Sequence, residues 1–352
     1  MAEIANDLLK ATARSFYLTL RVLPARVRRQ IGLAYLLART TDTVADTELV
    51  PLAQRLEALR QLRERILGGS SAPLAFGELV RQQGLPAEKL LLEKAGDSLA
   101  VLRDFSARDQ QLIQEVLATI ISGQELDLQR FASGSGGGER AGDPPIRALE
   151  TAAELEDYTY RVAGCVGEFW TRLCREHLFP LARLDESQLV ADGIRFGQGL
   201  QLVNILRDLP ADLKNGRCYL PRQKLAEAGL TPETLLQVEN EAAFMLVYRA
   251  HLEQAAGHLS AGWRYTNTLP FGQFRVRLAC AWPVLLGAQT IARLRKADAL
   301  ALRRRVKVSR REVYALLLKS ILVCPVPPLW RRLYVLESPK SEVRRANPKA
   351  GV

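Results

Sequence analysis

The chain has 352 residues, of which 48% are hydrophobic and 25% charged, so wholesale disorder is excluded. That length is enough for one large domain or two ordinary ones, with a core that needs no disulfide or metal to fold. Five cysteines without a CxxC pair argue against a disulfide framework or a zinc site. The net charge of +11 is concentrated near the C-terminus, because residues 293–352 hold 16 Lys and Arg against 4 Asp and Glu.

Helices are predicted almost throughout the chain. Apolar residues recur at three- and four-residue spacing, which indicates amphipathic helices, in these stretches: Val27–Ala38, Leu52–Ile66, Leu112–Ile121, Leu155–Leu173, Phe196–Leu206 and Val276–Leu294. No βαβ rhythm and no GxGxxG motif is present. The glycine-rich stretch 133–138 is expected to be a loop inside one domain. The sequence therefore predicts an all-α protein built as a single large helical bundle.

Two acidic pairs lie on predicted helices. Asp42 and Asp46 are four residues apart, and so are Asp208 and Asp212, so each pair projects from one helix face. Like charges at this spacing destabilise a helix, and a divalent cation offsets the repulsion. One such pair on its own is more often a solvated helix face. Two pairs with similar neighbours favour a metal site.

The neighbours of each pair extend its polar face. Tyr35 lies two turns before Asp42, and Gln201 and Asn204 precede Asp208 along an otherwise apolar helix. Carboxylate and amide oxygens suit Mg²⁺, which prefers to share phosphate oxygens with a substrate. Arg39 and Arg207 are placed to bind those phosphates. This pattern predicts ionisation of a diphosphate ester beside an apolar cavity that holds the carbocation.

At these residues the sequence resembles the squalene and phytoene synthase family, the head-to-head prenyl transferases, and bacterial members that form squalene most of all. The resemblance runs from about Ala11 to Ala297. Four blocks carry it: Arg14-Ser-Phe-Tyr17, Asp42–Asp46, Tyr158–Gly167, and Gln201–Asp212 with Gly216–Pro221. The family implies an all-α isoprenoid synthase fold with a central cavity, in which two prenyl diphosphates condense through a cyclopropyl intermediate.

The resemblance also implies roles for individual residues. The metal ligands would be Asp42, Asp46, Asn204, Asp208 and Asp212. The diphosphate-binding residues would be Arg14, Ser15, Phe16, Gln201, Arg207, Lys214 and Arg217. The catalytic residues at the reacting carbons and the leaving diphosphate would be Tyr35, Tyr158 and Arg39. Pro210 departs from a regular helix, which leaves Asp212 less securely placed than Asp208. Small residues near Gly164 and Gly167 leave room for a prenyl chain or for a close helix.

The sequence leaves the product branch open. The form Thr40-Thr-Asp42-Thr-Val-Ala-Asp46 and the basic stretch 306–311 resemble squalene synthases, which reduce the intermediate with NADPH. Lys307 and Arg310 are then the expected NADPH-binding residues, and farnesyl diphosphate the expected substrate. The alternative is a non-reductive member that makes phytoene, dehydrosqualene or presqualene diphosphate. A non-catalytic binder of anionic lipid is the alternative from a different class, and no aromatic-interleaved basic motif supports nucleic acid.

The C-terminal region is predicted to differ from the rest. Residues 1–297 form the expected catalytic domain, and 298–352 a basic helix and tail. The stretch Tyr314–Trp330 is apolar but too short and proline-broken to cross a bilayer, so it packs on the domain or lies on a membrane surface. No basic region followed by an apolar run is visible at Met1–Lys10. The expected location is the cytoplasm, with the inner face of the membrane as an alternative, and the oligomeric state is open.

Overall fold

The structure is a computed structural model that describes residues 8–12, 16–131, 145–297, 306 and 308–337. Over these residues the chain is helical almost throughout, and its two strands have two residues each, which confirms the predicted all-α class. The helices are α1 (Phe16–Val22), α2 (Ala25–Asp46), α3 (Leu52–Ile66), α4 (Gly77–Gln82), α5 (Pro86–Glu93), α6 (Ala95–Leu102), α7 (Ala107–Phe131), α8 (Ala152–Thr159), α9 (Cys165–Leu178), α10 (Glu186–Lys214), α11 (Arg222–Ala226), α12 (Glu241–Thr268), α13 (Phe274–Lys296), α14 (Arg310–Val323) and α15 (Pro327–Glu337).

The long helix α10 lies at the centre of the bundle. It packs most extensively on α12 and also contacts α9 and α13. On the other side of the bundle, α2, α7 and α9 pack on one another. These helices surround an interior space, and every predicted apolar stretch except Leu52–Ile66 contributes residues to its lining. The helix α10 continues through Pro210 to Lys214, so Asp208 and Asp212 remain on one helix face.

Helix α9 approaches α10 very closely. A Cβ atom added at Gly167 would lie 1.9 Å from the carbonyl oxygen of Gly193, and one added at Gly197 would lie 2.2 Å from that of Ala163. A π-helical turn, Tyr160–Gly164, joins α8 to α9 within this contact. The glycines therefore serve close helix packing, and Gly167, Gly193 and Gly197 also border the interior space.

A short parallel ladder follows the end of α10. Gly216 has a φ of 74°, a left-handed conformation that glycine adopts without strain and that turns the chain after α10. The next two residues form β2 (Arg217–Cys218), which pairs with β1 (Arg147–Ala148). The Arg147 amide donates to the Gly216 carbonyl at 2.9 Å. This ladder fixes the backbone of Arg217 beside the last turns of α10.

The C-terminal helices α14 and α15 pack on α13 and on each other. Trp330 is fully buried, and its indole nitrogen donates to Asn267 Oδ1 at 3.0 Å. Trp282 of α13 donates to Ser320 Oγ of α14 at 2.9 Å. In the part of the chain that the structure describes, no helix is both long and apolar enough to cross a bilayer.

Candidate active site

The interior space is an apolar cavity of about 300 Å³. Its walls come from α1, α2, α7, α9, α10, α12 and α13, and from the π-helical turn. The apolar lining includes Phe16, Ile31, Val162, Phe169 and Phe196. A cavity lined in this way holds a hydrocarbon chain and excludes water.

A second, polar cavity of about 330 Å³ lies next to the first, and we call it the mouth. Ile120, Val162 and Gln201 line both cavities, so the two spaces are adjacent. The remaining residues around the mouth are Asp42, Ala45, Asp46, Gln124, Asp127, Leu128, Tyr158, Arg217 and Tyr219. The site thus joins an apolar chamber to a charged opening.

Asp42 and Asp46 lie on the last turns of α2, and both face the mouth. Asp42 accepts a hydrogen bond from Gln124 Nε2 at 2.5 Å, and its side chain is 46% exposed to the cavity. Burial among protein atoms, followed by repulsion from Asp46, raises the pKa of Asp42 to about 7. Burial also raises the pKa of Asp46. Keeping both carboxylates charged lowers the stability of the folded protein, as expected of a site that a cation completes.

Asp208 and Asp212 lie on the last turns of α10, and Asp212 interacts electrostatically with Arg217 and Asp127 of the mouth. Burial, followed by repulsion from Asp208, raises the pKa of Asp212 to about 7. Asp208 is paired with the adjacent Arg207, whose Nε donates to Asp208 Oδ1 at 3.1 Å. Asn204 and Gln201 lie one to two turns earlier on the same helix and line the apolar cavity.

Arg217 acts electrostatically on a carboxylate of each acidic pair. Its positive charge lowers the pKa values of Asp46, Asp127 and Asp212 against the larger opposing effect of burial. Its Nη1 lies 3.7 Å from Asp127 Oδ2, and its Nη2 lies 3.3 Å from the exposed Glu48. A guanidinium in this position can bind a diphosphate at the mouth.

The aromatic residues of the site form two pairs. Tyr35 lies with its ring centroid 4.9 Å from that of Phe16, and its hydroxyl donates to the carbonyl of Thr12 at 3.2 Å. Tyr158 stacks on Tyr219 with centroids 4.8 Å apart. Burial raises the pKa of Tyr158 above its ordinary value, so its phenol stays neutral. Phe16 has no polar group and lines the apolar cavity, so its position suits a prenyl chain better than the predicted diphosphate.

The remaining predicted residues are less central. Arg39 is paired with Glu88 and lies 3.7 Å from Asp42. Lys214 ends α10 and is exposed, and Arg310 is exposed at the start of α14. Arg14, Ser15 and Lys307 lie outside the described residues.

The donor set fits Mg²⁺ in a particular way. In the described ranges, no group of three or more His, Cys, Asp or Glu side chains could hold a metal by itself. Each pair instead offers two carboxylates. Mg²⁺ commonly binds proteins through one or two carboxylates and completes its shell with water and substrate phosphates. The residues therefore fit a metal that is shared with a diphosphate.

Three residues of the mouth were missed as site residues from the sequence: Gln124, Asp127 and Tyr219. Gln124 and Asp127 continue the helix face of Leu117 and Ile120 beyond the predicted end of that helix at Ile121. Polar residues at four- and seven-residue spacing on an apolar face were the available signal. Tyr219 lies within the stretch Gly216–Pro221 that resembles the family, but the resemblance implies no role for it.

An apolar chamber that adjoins a mouth with Asp42, Asp46 and Arg217, and a second acidic pair near the end of α10, is the arrangement expected of enzymes that act on prenyl diphosphates. The family profile described as squalene/phytoene synthase matches residues 9–312. The chain belongs to this family of head-to-head prenyltransferases.

Individual relatives lie in several branches of the family. The presqualene diphosphate synthase of Rhodopseudomonas palustris is 30% identical over 260 residues, which cover 74% of this chain and 77% of that protein. The bifunctional lycopene cyclase/phytoene synthase of Blakeslea trispora is 29% identical over 63% of this chain, which spans only 33% of that longer protein. The matched relatives therefore do not single out the squalene branch that the sequence favoured.

Solved structures share the fold. A ligand complex of TcSQS superposes with a TM-score of 0.75 at 21% identity, covering 99% of this chain and 93% of that one. The squalene synthase HpnC of Alicyclobacillus acidocaldarius superposes with a TM-score of 0.59 at 17% identity, covering 84% and 92%. At these identities the similarity establishes the isoprenoid synthase helical fold.

Proposed function

We propose that this protein condenses two prenyl diphosphates head-to-head to a cyclopropyl diphosphate without a nicotinamide, as its similarity to presqualene diphosphate synthases favours. The observation that carries the proposal is the apolar cavity adjoining a mouth with Asp42, Asp46 and Arg217. The prenyl chains would occupy the cavity, and the diphosphates would lie at the mouth. Farnesyl diphosphate is the proposed substrate.

The reaction begins with loss of one diphosphate. The C–O bond of the first substrate breaks and its electron pair leaves with pyrophosphate, whose charge Arg217 is placed to bind. Mg²⁺ held by Asp42, Asp46, Asn204, Asp208 and Asp212 would neutralise further phosphate charge. The double bond of the second chain then attacks the allylic cation. Loss of one proton closes the cyclopropane ring, and the second diphosphate is retained.

The protein contributes a dry and aromatic environment to this step. Val162, Ala163 and the apolar wall exclude water that would capture the cation. The faces of Tyr35 and Tyr158 can stabilise positive charge through the ring quadrupole. Because burial keeps the Tyr158 phenol neutral, this tyrosine can interact with the cation without forming a covalent bond as a phenolate.

Product analysis tests the branch. The purified protein is incubated with farnesyl diphosphate and Mg²⁺, with and without NADPH, and extracts are read by mass spectrometry before and after phosphatase treatment. The expected result is a cyclopropyl diphosphate, or a non-reduced product of it, in equal amounts in both arms. Squalene that appears only with NADPH would contradict the non-reductive proposal and restore the reductive prediction with Lys307 and Arg310. Phytoene from geranylgeranyl diphosphate alone would overturn the chain length.

We also propose that the enzyme binds the surface of an anionic membrane through α14 and α15. The outer face of α14 is apolar at helical spacing, with Tyr314, Leu318, Ile321 and Leu322 all exposed. Arginines flank this face on both helices: Arg310, Arg311, Arg331 and Arg332. An exposed apolar stripe beside clustered cations suits a lipid surface with negative head groups. The other face of α14 packs on α13, whose residues Ala279, Cys280 and Pro283 line the apolar cavity.

Vesicle sedimentation tests this surface. The double variant Leu318→Glu/Leu322→Glu is expected to bind phosphatidylglycerol vesicles about 10-fold more weakly, because two apolar side chains no longer enter the interface. The matched control is Leu246→Glu, which changes an exposed leucine on α12 and should sediment as wild type. Equal sedimentation of the double variant and wild type would contradict the proposal. Wild type that binds neutral phosphatidylcholine vesicles as well as phosphatidylglycerol vesicles would contradict it too.

A further inference from the structure

We propose that Asp127 is a positioning residue that fixes Arg217 with one carboxylate oxygen and the Tyr219–Tyr158 pair with the other. The inference rests on the proposed function, because it concerns how that site holds its substrate. It adds a third acidic helix, α7, to a site that the motifs place on α2 and α10.

Asp127 is an unusual residue to find at this position. Its side chain is only 16% exposed, and burial raises its pKa. Helix α7 gains nothing from a desolvated carboxylate near its end. Both oxygens are nevertheless used: Oδ1 accepts from the Tyr219 hydroxyl at 2.9 Å, and Oδ2 faces Arg217 Nη1 at 3.7 Å. The charge of Asp127 also interacts with those of Asp46 and Asp212, so it is close enough to both acidic pairs to act on them.

Asp127 holds the pair of tyrosines, Tyr219 and Tyr158, through one of its carboxylate oxygens. Tyr219 is buried; it makes an edge-to-face contact with Phe131 at a centroid distance of 5.2 Å and stacks on Tyr158. The bond to Asp127 fixes the Tyr219 ring, and the hydroxyls of Tyr158 and Tyr219 also interact. Asp127 thereby holds Tyr158 in place at the mouth. A displaced Tyr158 ring would protect the cation less well from water.

The other carboxylate oxygen of Asp127 faces the guanidinium of Arg217. Asp127 engages Nη1 of Arg217 from inside the mouth, while Nη2 meets the exposed Glu48. An exposed ion pair contributes little and is readily exchanged, so a diphosphate can replace Glu48. Asp127 then keeps the guanidinium oriented, and an oriented fork loses less entropy when it binds phosphate.

Two substitutions separate the effect of Asp127 on Arg217 from its effect on the tyrosine pair. Asp127→Asn keeps an oxygen that can accept from Tyr219 but removes the charge that orients Arg217. We expect its affinity for inorganic pyrophosphate in the presence of Mg²⁺, measured by calorimetry, to fall about 10-fold. Its ratio of head-to-head product to prenyl alcohol, the product of water capture, should stay near that of wild type.

Tyr219→Phe removes the hydroxyl and keeps the stacked ring. Because the Tyr219 hydroxyl also interacts with Arg217, we expect a loss of pyrophosphate affinity smaller than that of Asp127→Asn, together with a share of prenyl alcohol that rises several-fold. The matched control is Asp157→Asn, which alters an exposed carboxylate next to Tyr158 in sequence that pairs with Arg161 at 2.8 Å. It should leave both measurements unchanged.

The two measurements also separate this inference from the proposed function. Pyrophosphate binding reports on Asp127 and Arg217 whether or not condensation occurs. If wild type binds pyrophosphate but makes no two-chain product, the proposed function is overturned. The calorimetric comparison of Asp127→Asn with wild type still decides whether Asp127 orients Arg217. Asp127→Asn and Tyr219→Phe that change neither affinity nor product ratio, or that only lower the melting temperature, would overturn the inference.

Discussion

Replacing Asp42 with Asn is expected to lower kcat about 100-fold or more and to raise the melting temperature of the metal-free protein. Activity falls because the mouth loses one of the carboxylates that would hold Mg²⁺ against the diphosphate. Stability rises because the charge that is removed is unfavourable in the folded protein. A residue that serves only the fold would not show these opposite effects.

The pH dependence of this effect has a definite sign. The pKa of Asp42 is raised from 3.8 to about 7 in the folded protein, so between these values the folded state binds a proton that the unfolded state has lost. Folding stability therefore falls as the pH rises from about 4 to about 7. The gain of Asp42→Asn should be full above pH 7 and vanish near pH 4. Asp212 has the same raised value, and Asp212→Asn should behave alike.

Thermal melts in EDTA at several pH values test this prediction, with kcat measured in parallel. The control is Asp97→Asn, since Asp97 is similarly exposed, at 52%, but lies away from the mouth and pairs with Lys94. Wild type should also gain stability from Mg²⁺ with pyrophosphate, and Asp42→Asn should gain much less. A variant that melts lower than wild type in EDTA at pH 8, or that keeps its kcat, would contradict the assignment of Asp42.

Gly167→Ala is expected to lower the free energy of unfolding by about 3 kcal/mol or more. The new Cβ would lie 1.9 Å from the carbonyl oxygen of Gly193, and backbone of α9 or α10 must move to relieve the clash. The matched control is Gly257→Ala in α12, where a Cβ meets nothing within 4 Å. That change should stabilise the protein by up to about 1 kcal/mol, because alanine favours a helix over glycine.

Urea unfolding of the two variants measures the difference. The same chemical change should therefore have opposite signs at two helical glycines. Equal stability of Gly167→Ala and wild type would show that α9 and α10 are further apart than described. Because Gly167 also lines the cavity, a folded Gly167→Ala protein should lose activity as the wall shifts.

Much of the fold and part of the site could be predicted from the sequence because their signals are local. The apolar spacing of Leu52–Ile66 gave the bounds of α3, and the four-residue spacing placed each acidic pair on one face of its helix. Pro210 predicts a break or bend in the helix, but α10 continues past it.

The rest of the site depends on contacts between distant segments, which no spacing reveals. Asp127 meets Tyr219 across 92 positions of sequence. The role of Asp127 depends on the fold, which places α7 next to the segment that contains β2 and Tyr219. The small residues near Gly167 predict either room for a prenyl chain or the close approach of another helix. Only the structure distinguishes their use, because Gly193 approaches Gly167 from another helix.

The central claim is that one turnover joins two prenyl chains, and isotope mixing tests it most directly. The wild-type protein is given equal amounts of unlabelled and fully deuterated farnesyl diphosphate with Mg²⁺, and the product is read by mass spectrometry. A head-to-head product must appear as three mass populations, with the mixed one the most abundant. Products in only two populations, each derived from a single chain, would contradict the account and make the protein a cyclase or a diphosphate hydrolase.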